Sequence, residues 1–69
     1  MTAADVERVA RSLIVERGFA CTLLSVTAAA TGWNIMVRAG TGAIVRFAVS
    51  SQRPIAVREA IQEALEAEL

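Results

Sequence analysis

The sequence contains no histidine, no lysine and no tyrosine, one cysteine (Cys21) and one proline (Pro54). Without an imidazole there is no Cys/His zinc site and no Ser-His or Cys-His nucleophile pair, and a single thiol closes no intrachain disulfide. Net charge is missing too: seven arginines balance seven acids. That balance argues against general polyanion binding and leaves only local patches. What is abundant is apolar. Of 69 residues, 55% are hydrophobic and 20% charged, too apolar a mixture for disorder and too short a chain for two cores, so residues 1–69 are expected to form a single domain.

Every basic residue is arginine, and alanine fills fourteen positions, a bacterial-like bias expected of a GC-rich genome. The opening residues Met1 to Arg8 carry Asp5 and Glu7 where a secretory signal needs a basic start and an apolar run, so a reduced, cytoplasmic setting is expected. Residues Gly18 to Val37 are uncharged over twenty positions, long enough to cross a bilayer. Thr22, Ser25, Thr27, Thr31, Gly32 and Asn34 interrupt that run, and two strands joined by a turn account for it better. No membrane partner is expected.

Helical periodicity marks both ends of the chain. Val6, Val9, Ala10, Leu13 and Ile14 form one apolar stripe in a helix over about Ala3–Arg17. Thr2 is placed to cap it, Asp5 suits its positive end, Glu7 and Arg11 are spaced for an i, i+4 pair, and Gly18 supplies the stop. A second stripe, Val57, Ala60, Ile61, Ala64 and Leu65, defines a helix over about Pro54–Glu68, with Pro54 at its first position. Acids crowd its C-terminal half, against the helix dipole, so packing must hold this helix.

Between the helices the period falls to two. Trp33, Ile35 and Val37 alternate with Asn34, Met36 and Arg38, and Val45, Phe47 and Val49 alternate with Ile44, Arg46 and Ala48. Both apolar sets share a face when Arg38 pairs with Ile44, which leaves the three-residue loop Gly40-Thr41-Gly42 with Gly42 at the left-handed position. Upstream, a two-residue turn at Thr31-Gly32 would pair Ala30 with Trp33, Ala28 with Ile35 and Val26 with Val37, turning Leu24, Val26 and Ala28 inward. The adjacent Leu23-Leu24 breaks the alternation and marks a candidate bulge. The expected fold is α+β, a two-layer sandwich of order α-β-β-β-α. Its sheet is a three-stranded antiparallel meander with both helices on one face.

The other face is where a use is expected. It would present Ser25, Thr27 and Ala29, then Asn34, Met36 and Arg38, then Ile44, Arg46 and Ala48, with Ser25 opposite Arg38. Arg38 and Arg46 are diagonal neighbours with no carboxylate beside them, suited to a phosphate or carboxylate. The plainer account has both guanidiniums solvated, their stems lying over Met36 and Ile44. Leu23, Met36, Ile44 and Ala48 also make this face moderately apolar, a place for self-association or a protein partner. Arg53 and Arg58 flank the second helix's start, where backbone N–H groups also attract anions. Glu59, Glu63 and Glu66 share a helix face without histidine, aspartate or a nucleophile nearby, and read as a solvated surface. Cys21 and Trp33 read as structural.

The order helix–strand–strand–strand–helix is similar to that of the double-stranded-RNA-binding domain, in topology alone and over nearly the whole chain. That family's loop between strands 1 and 2 would here be Thr31-Gly32. Its basic cluster at the second helix would be Gln52-Arg53-Pro54-Ile55-Ala56-Val57-Arg58, without lysine. These departures remove the binding residues, so no site is carried over. The function expected is therefore a small non-catalytic interaction module without cofactor or metal. Its partner surface would be Met36, Arg38, Ile44, Arg46 and Ala48, meeting another copy or a different protein. The alternative is an anion or RNA binder using Arg38, Arg46 and Arg53.

Overall fold

A computed structural model describes residues 1–69. The elements are α1 (Ala3–Arg17), β1 (Cys21–Ala28), β2 (Trp33–Ala39), β3 (Ile44–Val49) and α2 (Pro54–Glu68). The strands form one antiparallel sheet in the order β1-β2-β3. Both helices pack on the same side of it, α1 over β1 and α2 over β3. No helix is long and apolar enough to cross a membrane, and the uncharged run from Gly18 to Val37 is spent on β1 and much of β2.

α1 begins with a reciprocal cap. The Asp5 N–H donates to Thr2 Oγ1 at 3.2 Å, and the Thr2 N–H donates to Asp5 Oδ2 at 2.8 Å. It ends at Gly18, whose φ of 66° is left-handed, with the Phe19 N–H returning to the Ile14 carbonyl at 3.0 Å. α2 has no such supports. Arg53 occupies its N-cap without a side-chain bond, and no basic residue lies in its last turn. It is held by Val57, Ile61 and Leu65, all fully buried, and by Arg58, which reaches across to Glu16 of α1. Each such buried aliphatic side chain contributes about 1.5–3 kcal/mol, whereas exposed ion pairs contribute about 0–1 kcal/mol, so burial carries this helix.

The cap makes a pH prediction. The Asp5 carboxyl is held below its ordinary value of 3.8, first by the Thr2 N–H, then by the Thr2 hydroxyl and the nearby Arg8 guanidinium. A depressed acid stabilises the folded form above its unfolded pKa, and that support disappears as pH falls through the lower folded value. Protection factors in the first turn of α1, taken against the intrinsic exchange rate at each pH, should therefore fall as pH is lowered below about 4. Asp5→Asn should show faster exchange at neutral pH and no such acid step.

The core joins Val6, Ala10 and Leu13 of α1 and Val57, Ile61 and Leu65 of α2 to Leu23, Val26, Trp33, Ile35, Val37 and Val49 of the sheet. Trp33 is 5% exposed, and its indole N–H has no acceptor within the chain. An unpaired buried donor costs about 1–3 kcal/mol, which the ring's large buried area offsets.

The β2–β3 ladder has the expected register, Trp33 opposite Val49 through Arg38 opposite Ile44, closed by a loop in which Gly42 has φ 92°. The β1–β2 ladder differs from expectation. Ala28 pairs with Trp33, Thr27 with Asn34, Val26 with Ile35 and Ser25 with Met36. Beyond the irregularity at Leu24, Leu23 pairs with Val37, Thr22 with Arg38 and Cys21 with Ala39. The turn is centred on Ala30-Thr31, closed by the Ala29 N–H donating to the Gly32 carbonyl at 2.9 Å, so Thr31-Gly32 is not the turn pair and Ala30 does not face Trp33. Because a bulge adds one residue, it exchanges the faces beyond it. Leu23 therefore points inward, 8% exposed, and Leu24 is 39% exposed. Val26 is inward as expected, and Ala28, opposite Trp33, lies on the same side but is exposed at the strand end.

Candidate functional site

The helices cover the side of Trp33, Ile35 and Val37, which leaves the alternate positions on the other side. Cross-strand pairing arranges these in three rows: Thr27–Asn34–Ala48, Ser25–Met36–Arg46 and Thr22–Arg38–Ile44. The expected set is present with three corrections. Thr22, not Ser25, lies opposite Arg38, because the bulge shifts the register, and Ala29 lies beyond the end of β1. Leu23 leaves this face for the core.

Arg38 and Arg46 sit on adjacent strands as diagonal partners, about 7–8 Å apart. Neither has an ion pair or a side-chain hydrogen bond, whereas Arg8, Arg11 and Arg58 each face an acid within 4 Å. No carboxylate belongs to the three rows, but two threonines, a serine and an asparagine do. Ser25, Thr27, Asn34, Met36 and Arg46 line a shallow depression of about 440 Å³. Met36 is half-buried at its centre, while Ile44 and Ala48 are exposed on the flanking strand. The face thus combines an apolar floor, hydroxyl donors and an uncompensated pair of bidentate cations.

Arg53 is not brought to that pair. It caps α2 in the helical layer, next to Gln52 and Pro54, which line a separate hollow with Asp5, Arg8 and Arg58. An acid and two arginines share that hollow, so it is not the unopposed cationic surface formed by the sheet. Cys21 is half-buried opposite Ala39, and burial pushes its thiol above the ordinary 9.0, which keeps it protonated and a poor nucleophile at neutral pH. Glu59, Glu63 and Glu66 are exposed on α2, and no three His, Cys, Asp or Glu side chains come together as a metal cluster.

Pairing Thr22 with Arg38 was the feature of the site hidden from the sequence pattern, and the doubled leucine was its one visible sign. No family model matches the chain, and no curated protein or solved structure does so either.

Proposed function

We propose that this chain is a small interaction module, without a catalytic step of its own, that docks an acidic protein surface on its uncovered sheet face. The observation that carries this reading is the pair Arg38 and Arg46, unpaired on a face without a carboxylate and flanked by Met36, Ile44 and Ala48. Two such faces pressed together would enclose four guanidiniums with no counter-charge, which is costly. A different, acidic partner is therefore favoured over another copy at this surface. A cysteine that closes no disulfide suits a cytoplasmic setting.

A second reading follows from the same pair: an anion such as an RNA phosphate would satisfy both guanidiniums equally well. Selection of displayed peptides on the wild-type chain, followed by counter-selection on an R38E/R46E variant, separates the two. Docking predicts enriched peptides with Asp or Glu beside apolar residues, which lose binding by about tenfold or more to the double variant. Peptides indifferent to the charge reversal would overturn it. RNA binding that falls linearly with the logarithm of salt concentration, with no acidic peptide enriched, would establish the second reading instead.

A further inference from the structure

The two edges of the sheet are treated differently. β1 carries a bulge at Leu24, a device that twists an edge away from further pairing. β3 has no bulge, no proline and no lysine, and its sequence Ile44-Val45-Arg46-Phe47-Ala48-Val49 favours extended structure. The ladder shows which of its backbone groups are free. The Ala39 N–H donates to the Ala43 carbonyl at 2.8 Å, so by the antiparallel alternation Val45, Phe47 and Val49 turn their backbone groups to β2. Ile44, Arg46 and Ala48 then turn theirs to the open edge, and none of the hydrogen bonds from turns, loops or caps reaches them.

The helix above this edge leaves room beside it. Counting about 100° per residue from Ile61, Arg58 and Gln62 lie on one flank of α2, and Ala56, Ala60, Ala64 and Ala67 on the other. Arg58 reaches Glu16 of α1, so the alanine flank points away from α1, toward the β3 side. Val45 and Phe47 below it are only half-buried.

From this juxtaposition we propose that two copies of the chain pair β3 with β3 about a two-fold axis. The result is one six-stranded antiparallel sheet with the alanine flanks of the two α2 helices facing each other. Keeping the helices on one side requires each residue to face one of its own parity. Placing Arg46 across from Arg46 of the second copy satisfies that requirement but opposes like charges. A shift of one residue per strand sets Phe47 across from the second copy's Phe47 and Arg46 across from its Ala48, with the backbone groups of Arg46 and Ala48 bonded to each other across the axis. Two aromatic rings then meet at the closest-approach position, and no like charges lie directly opposite. An isolated extended peptide from another protein would satisfy the edge but leave Val45, Phe47 and the alanine flank uncovered, so a second copy is the better occupant.

This edge adjoins the docking face and shares Arg46 and Ala48 with it, whereas Arg38 lies on the central strand away from the edge, so Arg38→Glu should weaken docking without changing the mass of the dimer. The test is sedimentation equilibrium of the full chain, with amide exchange followed residue by residue across the concentration range. The expected result is a dimer in which Arg46 and Ala48 amides become protected with concentration, while those of Val45, Phe47 and Val49 are protected throughout. Ala48→Glu should tighten the dimer about tenfold and Ala48→Lys weaken it about tenfold, since each places two charges across from Arg46. Ala48→Pro removes an N–H that β2 does not use, and should yield a folded monomer. A monomer at millimolar concentration would overturn the proposal, as would a dimer lacking the alternating protection or the opposite responses at position 48.

Discussion

Gly32→Ala is expected to destabilise the chain by about 3 kcal/mol or more. For a chain of this length total stability is of order 3–10 kcal/mol, and the midpoint of thermal unfolding should fall by more than about 10 °C. Conformation is not the reason, since positive φ occurs only at Gly18 and Gly42. The reason is space. A Cβ on Gly32 would lie 1.8 Å from the Val49 carbonyl oxygen, 2.8 Å from its carbon and 2.9 Å from the Ser51 nitrogen. These are backbone atoms at the end of β3 and in its connection to α2, and they have no rotamer with which to give way. Relief requires lifting that connection, which would pull the buried Val49 from the core and disturb the start of α2. Gly18 and Gly42 have open space around them, so alanine there should cost only about 1 kcal/mol, the penalty for φ. Urea unfolding of the three variants checks this ordering. A Gly32→Ala chain as stable as Gly42→Ala would show that the connection does not press on that glycine.

Leu23 and Leu24 are expected to differ sharply despite being neighbours of the same type. Leu23→Ala should cost about 2–4 kcal/mol, the range for a buried leucine, and Leu24→Ala less than about 1 kcal/mol. The stronger version is a deletion. Removing Leu24 leaves Cys21, Thr22, Leu23, Ser25 and Val26 to pair with Ala39, Arg38, Val37, Met36 and Ile35 in unbroken register, with every remaining side chain on its present face. That chain should fold. Removing Met36 from the central strand has no such escape, because β2 is paired on both sides without a bulge of its own. Either Trp33 and Ile35 or Val37 must then turn outward, and folding should fail. Circular dichroism and urea unfolding distinguish these outcomes. Equal costs for the two leucines would mean that the bulge lies elsewhere.

The helices and the β2–β3 hairpin were legible in the sequence because independent signals coincide there. Thr2 with Asp5, Gly18 and Pro54 bound stripes of the right period, and Gly42 falls where the alternation of both strands requires it. The β1–β2 turn was misplaced for an equally specific reason. Gly32 looks like a turn residue, yet it is required by contact with Val49 and Ser51, which nothing local in the sequence reveals. Moving the turn by one position kept Val26 inward, since the pairing shifted by two. The bulge then reversed the leucines. At the site, Arg38, Ile44 and Arg46 were placed correctly by the hairpin, while Thr22 depended on the bulge and Arg53 on how the chain passes into α2. The doubled leucine hinted at the first, and no sequence periodicity reports the second.

α2 supplies three of the twelve core side chains and lies over β3, yet it follows every strand in the chain. A folding intermediate in which the meander has paired but α2 has not docked would leave the apolar side of β3 unroofed, and that form is the one most exposed to aggregation.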